Sequence, residues 1–252
     1  MNTFFLDRLN SEPHALAFAG QSTPWPVALA DQSANPALDE ALHTHAAAAQ
    51  ALLYPVSAEL LATTGRPVDL FGFEPNPARL GAAAAASASV PGIALTQLGA
   101  LLDAAALGYN PAQAKPVAVL GHSQGVLAVH MVQAIREAGS IEAAAAPIDE
   151  ILAIATLIGV AGTRQARQLG LAARHGDATP MLSVKDITRA QVDALIERVD
   201  GARGPVAVAV TNSATHYVLS GYPEDLAAFG VEVAKEHKHQ AKLREEKVRG
   251  GR

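Results

Sequence analysis

The sequence contains no cysteine, and aromatic residues make up only 4% of its 252 residues. Without cysteine the chain can form no disulfide framework, zinc–thiolate site or iron–sulfur cluster, and it has no cysteine nucleophile. The apolar residues, 50% of the chain, are therefore mostly alanine and aliphatic side chains, which favour helices and close packing. We expect a helix-rich α or α/β protein in a reducing, cytoplasmic compartment.

Signals for export or for a membrane are also missing. Asp7 and Arg8 interrupt what would be the apolar segment of a signal peptide, and no basic residue precedes it. The two most apolar stretches are 81–106, which is broken by Pro91, and 151–162, which is too short to span a bilayer. We therefore expect both to form buried or half-buried helices, and we expect no membrane partner.

Patterns for metals, nucleotides and nucleic acids are weak. The two His-x-His triplets, 43–45 and 237–239, lack suitable carboxylate or cysteine partners, so solvent-exposed histidines are expected at both. No phosphate-binding glycine pattern is present. Residues 235–252 carry seven basic and three acidic side chains in a chain of net charge -5, which is typical of a solvated helix. We expect no metal, no bound cofactor and no nucleic acid partner.

The pattern of apolar residues predicts an α/β protein with two parts. Short strands are predicted at 16–20 and 116–120, and most residues between them have helical periodicity. From Met181 onward the order is strand, helix, strand, strand, helix, which is most of a ferredoxin-like unit. The predicted domains are a core that carries the nucleophile turn over 1–176, a partial ferredoxin-like subdomain over 177–238 and a basic connector over 239–252.

The strongest chemical signal is the sequence Gly121-His122-Ser123-Gln124-Gly125. It follows a predicted strand and precedes a helix predicted over Val126–Ala138, which is the setting of a nucleophile elbow. In such a turn the glycines avoid collisions with neighbouring backbone, and the serine hydroxyl projects from the end of the sheet. The helix N-terminus behind it stabilises developing negative charge. The pattern favours a nucleophilic serine over a purely structural turn.

These residues resemble a known family, the acyl-CoA:acyl-carrier-protein transacylases, which include malonyl-CoA transacylase. The motif, continued by Val126-Leu127-Ala128-Val129, is most similar to the acetyl transferase domain of microbial type I fatty acid synthases of the actinobacterial kind. Further segments agree in order and spacing, namely 18–21 with Trp25, 72–75, 90–92, 157–163 and 247–251. The resemblance implies an α/β-hydrolase-like core with a parallel sheet and a small ferredoxin-like (α+β) subdomain, here incomplete at the C-terminus.

The resemblance assigns roles at the elbow. Ser123 matches the nucleophile that accepts the acyl group, and His122 matches a histidine that does not act as the base. The family's oxyanion hole is formed by the backbone N–H groups at the positions of Gln21 and Gln124, and such donors stabilise the charge on a thioester carbonyl under attack. The family loop reads Gly-Gln-Gly, whereas this chain has Ser22 in place of the second glycine, which restricts the backbone there.

The resemblance also bears on the acyl group. Malonyl-selective members carry an arginine on the helix after the nucleophile, where its guanidinium pairs with the malonyl carboxylate. Ala161 stands at that position, which favours an uncharged group such as acetyl, although Arg164 lies one helical turn away. Asn212 matches a family segment near the active site and is expected to have a supporting role.

The catalytic base is the missing part of this assignment. Family members take it from a histidine after the ferredoxin-like subdomain, so we expect it beyond Arg252 and not at any of the four histidines considered for it: His130, His216, His237 and His239. The leading hypothesis is an acetyltransferase that uses acyl-CoA and an acyl carrier protein within an oligomeric fatty acid synthase, without a cofactor. Alternatives are a malonyl or palmitoyl transferase, a serine esterase or thioesterase, and a catalytically incomplete fragment of a multifunctional synthase.

Overall fold

The computed structural model describes residues 4–20, 24–53, 70–71, 86–168, 181–199 and 204–250. The chain divides into two compact units, Met1–Ala166 and Arg167–Arg252. The predicted boundary between residues 176 and 177 lies outside the described residues, as do Gln21 and the family segment at 72–75. The two units are described separately below.

The first unit combines helices with a parallel pair of strands. Strands β1 and β2 are paired in parallel from Ala15 opposite Ala118 to Phe18 opposite Gly121. Both strands therefore end at the same edge, where Gly20 follows one strand and Ser123 follows the other. The elements in chain order are α1 Phe4–Ser11, β1 Ala15–Phe18, α2 Trp25–Ser33, α3 Pro36–Leu52, α4 Ala86–Ala106, β2 Ala118–Gly121, α5 Val126–Ala138 and α6 Ala145–Gln168.

Helix α4 is the centre of the first core. Its residues Ile93, Leu95 and Leu98 are almost fully buried and pack among apolar side chains of α2, α3 and α5. A Cβ on Gly92 would lie 2.5 Å from ring atoms of Trp25, so α4 and the start of α2 are in close contact. This packing fixes α4 beside the segment that leads out of β1.

Two helices in the described part of the chain are long and apolar enough to cross a membrane, α4 and residues 145–165 of α6. Helix α4 is a core helix, since 72% of its apolar window is buried, whereas the value for α6 is 39%. One side of α6 packs into the core, and Thr163 Oγ1 accepts a hydrogen bond from Ser87 N at 2.9 Å. The expectation that this segment is too short was wrong, because the helix extends beyond 151–162 at both ends. Core helices pass the same test, so length and composition are weak evidence for a span.

The second unit confirms the strand and helix order predicted after Met181. Three antiparallel strands are arranged in the order β3-β5-β4. One face of the sheet is covered by the two helices, with Tyr217, Leu219 and Phe229 buried between them. The elements are β3 Met181–Lys185, α7 Arg189–Val199, β4 Ala207–Ser213, β5 His216–Ser220 and α8 Pro223–Gly250.

Helix α8 is longer than predicted, because it continues past His237 to Gly250 and includes most of the expected basic connector. Its middle part is tied to the rest of the second unit by two contacts. Hydrogen bonds from Gln240 and Gln191 lower the pKa of the Glu236 carboxyl. The second of these bonds joins α7 to α8, since Gln191 Nε2 donates to Glu236 Oε1 at 3.0 Å. His237 Nε2 lies 3.0 Å from Lys185 O on β3. His237 is thus engaged with the sheet beside it.

Candidate active site

Ser123 lies on the sharp turn predicted from the sequence, between β2 and α5. The turn Ser123–Gly125 is a single turn of 3₁₀ helix, and α5 follows directly at Val126. Ser123 has a φ of 55°, in the left-handed region that residues with a Cβ seldom adopt. It is exposed. A strained, exposed serine between a strand and a helix is the geometry of a nucleophile elbow.

Gly121 and Gly125, on either side of Ser123, leave no room for a side chain. A Cβ on Gly121 would lie 2.5 Å from Gly125 C and from Val126 N. A Cβ on Gly125 would collide with Phe18 O and would lie 2.9 Å from Ala19 O. These glycines therefore allow the elbow to close on itself and on the end of β1.

Gly20 is the third tight contact, and it belongs to the other strand. A Cβ at this position would lie 2.6 Å from His122 O and 2.7 Å from Ser123 Cβ. The segment after β1 is thus packed directly against the nucleophile. Sequence reasoning included Gly20 only as part of the family segment 18–21, because nothing local to the residue shows that it touches Ser123.

Backbone hydrogen bonds join the elbow to β1. His122 N donates to Phe18 O and Gly125 N donates to His122 O, both at 2.9 Å. The Gln124 side chain reaches α4, with Nε2 3.5 Å from Val90 O. The backbone of His122 is therefore held within the turn, and its expected role stays a prediction.

A further polar side chain reaches the same strand end from α4. Gln97 Nε2 donates to Ala19 O at 2.6 Å. Gln97 lies on a helix of almost uniformly buried residues, and its own exposure is 8%. The sequence gives no sign of this contact, because a glutamine in an apolar helix is not distinctive until its partner, 78 residues away, is known.

The remaining predicted site residues lie on separate elements. Ala161 was expected on the helix after the nucleophile, but that helix is α5; Ala161 is exposed on α6, one turn before the exposed Arg164. Asn212 lies on β4 of the second unit, where its Nδ2 is 3.4 Å from His216 Nε2. Gln21 lies outside the described residues, so the structure brings together Ser123, Gln124 and the elbow glycines. The roles of Gln21, Ala161 and Asn212 stay predictions.

The expectation that both histidines of the 43–45 triplet are exposed was wrong for His45. His43 is exposed and stacks on Phe71, as expected for a surface residue. The side chain of His45 is only 12% exposed, and its Nδ1 lies 2.6 Å from Asp149 Oδ1 on α6. This pair ties α3 to α6. Within the described residues, no group of three histidine, aspartate or glutamate side chains could hold a metal ion.

Two histidines of the second unit that were considered for the base, His216 and His237, have polar partners. His216 Nε2 lies 2.9 Å from Ser183 Oγ, and His237 contacts the β3 backbone. In the first unit, His14 Nε2 lies 3.0 Å from Tyr109 OH. None of these contacts involves Ser123, so they do not identify its base.

The chain matches the family described as "SAT: Starter unit:ACP transacylase in aflatoxin biosynthesis" over residues 74–247. It is also 31% identical, over 128 residues, to the fatty acid synthase beta subunit hexB of Dothistroma septosporum (strain NZE10 / CBS 128990). That alignment covers 46% of this chain and 7% of the fungal protein. The predicted synthase resemblance is thus supported, whereas its actinobacterial detail stays a prediction.

One solved structure supports the fold, and a second is similar to a lesser degree. A malonyl CoA-acyl carrier protein transacylase from Coxiella burnetii has a TM-score of 0.53 and 17% identity, and the match covers 89% of this chain and 58% of that one. An acyl-carrier-protein-S-malonyltransferase from Bartonella henselae has a TM-score of 0.48 at 16% identity, with 89% and 60% covered. The Coxiella match confirms the predicted α/β fold class.

The family match contains the whole elbow, from Gly121 to Gly125, and extends into the second unit as far as residue 247. The relatives are longer: the chain spans 58% of the Coxiella transacylase and 7% of the fungal subunit. The elbow serine has the geometry of a nucleophile that could carry an acyl group. On this evidence the chain belongs to the starter unit:ACP transacylase family, whose members are acyltransferases.

Proposed function

We propose that this chain moves an acyl group from coenzyme A to the phosphopantetheine thiol of an acyl carrier protein, through an ester on Ser123, within a fatty acid or polyketide-type synthase. The observation that carries the proposal is the position of Ser123, exposed at φ 55° between β2 and α5. The family match and the fungal synthase relative support the same reaction.

The reaction has two matched halves. Ser123 Oγ attacks the thioester carbonyl, its proton goes to a base, an O–C bond forms and the C–S bond breaks, so that coenzyme A leaves as its thiol after taking up a proton. In the second half the pantetheine thiol of the carrier protein attacks the ester, and Ser123 recovers its proton. Neither half needs a metal or a redox cofactor.

Negative charge on the carbonyl oxygen is the main electrostatic demand of both halves. Backbone N–H groups stabilise such an oxyanion without reorganising, and each donor contributes about a hundredfold or more in rate. We assign these donors to Gln124, which follows Ser123 at the start of the helical turn, and to Gln21, which follows the Gly20 contact. The partial positive charge at the N-terminus of α5 adds to their effect.

A direct test follows acyl transfer itself. A form of the protein that extends past Arg252, and so includes the expected base, is incubated with acetyl-CoA, the acetylated residue is located by peptide mass spectrometry, and pantetheine or holo acyl carrier protein is then added. We expect one acetyl group on Ser123 that persists in water and passes to the thiol. Rapid hydrolysis of the ester would instead support an esterase or thioesterase, and acetylation elsewhere or nowhere would contradict the proposal.

We further propose that the preferred acyl group is an uncharged starter such as acetyl, because Ala161 offers no counter-charge to a malonyl carboxylate. Replacing Ala161 by arginine is expected to raise the ratio of malonyl to acetyl loading about tenfold, since a bidentate guanidinium–carboxylate pair contributes on the order of 1.4 kcal/mol or more. Ala161 is exposed, so the substitution is expected to leave stability unchanged. The measurement is competitive loading from equal acetyl-CoA and malonyl-CoA.

Arg164 supplies the matched control for this experiment. If Arg164 were the residue that pairs with malonyl, Arg164→Ala would lower malonyl loading while Ala161→Arg had little effect. A wild-type preference for malonyl that Arg164→Ala abolishes would therefore overturn the assignment of an uncharged starter.

A further inference from the structure

Gln97 makes a hydrogen bond to which the proposed reaction, as described so far, assigns no role. It lies in the middle of α4, and its Nε2 donates to Ala19 O at 2.6 Å. The orientation of its amide is fixed by this distance, because the reverse assignment would bring two oxygen atoms to 2.6 Å and they would repel each other. The side chain therefore acts as a donor to the end of β1.

The Ala19 carbonyl is contacted from two sides. Gln97 holds it from α4, while the Cα of Gly125 approaches so closely that a Cβ there would lie 2.9 Å from the same oxygen. Ala19 is followed by Gly20, whose own missing Cβ would lie 2.7 Å from Ser123 Cβ. Because the peptide group is planar, restraining the Ala19 oxygen restrains the orientation of the whole Ala19–Gly20 peptide, and its Gly20 end lies against the nucleophile.

Stability alone does not account for a glutamine at this position. The residue is 8% exposed, and its Oε1 is buried with no hydrogen-bond partner among the described residues. A buried acceptor without a partner lowers the stability of the folded state. A leucine of similar volume would fill the space without that penalty, so the donor to Ala19 is the distinctive contribution of Gln97.

We propose that Gln97 is a positioning residue for acyl transfer: it holds the Ala19–Gly20 peptide against Ser123. This inference rests on the proposed function. The hydrogen bond of Gln97 is made to Ala19, so Gln97 acts through Ala19. Displacement of a catalytic group by about 1 Å can cost on the order of a hundredfold in rate, which gives the scale of the expected effect.

Gln32 on α2 is a matched control. Its Nε2 also donates to a backbone oxygen, Thr96 O, at 2.9 Å, and its Oε1 is also buried without a partner among the described residues. The same chemistry is thus present one residue away from Gln97 along α4, but the bond is made between α2 and α4. Gln97→Leu and Gln32→Leu remove equivalent donors and equivalent unpartnered acceptors.

The experiment compares the two leucine variants with wild type, all in the form extended past Arg252, in three measurements: the rate of Ser123 acetylation by acetyl-CoA, the urea midpoint of unfolding, and hydrogen exchange of peptides that cover residues 15–20. We expect both variants to keep or exceed the wild-type urea midpoint. Only Gln97→Leu is expected to lose about 10- to 100-fold in acetylation rate and to exchange faster at residues 18–20.

Gln97→Glu gives a further test, because it is expected to make the acetylation rate depend on pH in a way that a residue which only fills space would not. A neutral carboxyl group can donate to Ala19 O, but a carboxylate cannot, and burial raises the pKa of a carboxyl group. The acetylation rate of this variant relative to wild type is therefore expected to increase as the pH is lowered. The same ratio for Gln32→Leu is expected to be independent of pH.

Each outcome has one meaning. Wild-type acetylation and exchange in Gln97→Leu would overturn the inference, and so would equal losses in Gln97→Leu and Gln32→Leu, or a Gln97→Glu ratio that does not depend on pH. If the wild-type protein in the form extended past Arg252 is not acetylated at all, the proposed function fails. In that case faster exchange at residues 18–20 confined to Gln97→Leu still shows that Gln97 holds the strand end, and its absence refutes this as well.

Discussion

Replacement of Ser123 by alanine is expected to abolish acetylation by acetyl-CoA while the chain stays folded. Loss of a serine nucleophile costs about a millionfold in turnover in serine enzymes, so no ester is expected within any practical incubation. Alanine has the same Cβ as serine, and the backbone at φ 55° is no more strained with one than with the other. Intact-mass spectrometry measures the acetyl group, and thermal unfolding confirms the fold.

Ser183 provides the control for this substitution. Its Oγ lies 2.9 Å from His216 Nε2, and a serine–histidine contact is also found in catalytic pairs. Ser183 lies within strand β3, however, and has neither the strained backbone nor the helix N-terminus of the elbow. Ser183→Ala is expected to be acetylated at the wild-type rate. Acetylation that survives in Ser123→Ala and disappears in Ser183→Ala would move the nucleophile to the second unit.

Gly20→Ala is expected to have the second largest effect, on both stability and acetylation. The new methyl group would lie 2.6 Å from His122 O and 2.7 Å from Ser123 Cβ, so the strand end or the elbow has to move. Overpacking of this kind costs about 1–3 kcal/mol in the free energy of unfolding. Because the group displaced is the nucleophile, we also expect a loss of about a hundredfold in acetylation rate.

Urea unfolding and the rate of acetylation measure these two effects. Gly230→Ala is the matched control: the new methyl group would lie 3.8 Å from Leu182 Cδ2, an ordinary contact, on the interior of helix α8. There alanine is expected to stabilise the second unit by about 0.5–1 kcal/mol. A Gly20→Ala variant as stable and as active as wild type would show that the strand end does not contact Ser123 as described.

Local patterns were sufficient for the parts of the fold whose residues are close in sequence. The order of elements after Met181 and the helix Val126–Ala138 follow from periodicity and turn residues, and the structure contains both. The strained turn at Ser123 follows from Gly121 and Gly125, because only glycine fits beside a turn that tight. Element ends were less accurate, as α8 shows, since a charged and continuous helical sequence has no clear stop before Gly250.

Contacts between distant residues were not predictable in the same way. His45 was expected to be exposed, yet it pairs with Asp149, which is 104 residues away. Nothing in the sequence around either residue indicates that α3 and α6 are adjacent. Whether a side chain is buried depends on which element packs over it. Here α6 lies beside His45 because the apolar side of α6 packs into the core.

The sequence by itself determined that this protein has an elbow serine, because the turn is encoded by five adjacent residues and by the strand and helix beside them. The tertiary structure alone decided what surrounds that serine. Parallel pairing of β1 with β2 brings Gly20 against Ser123, and burial of α4 brings Gln97 to Ala19. Backbone propensity acts over a few residues, whereas these contacts exist only when strands and helices separated by most of the first unit pack together.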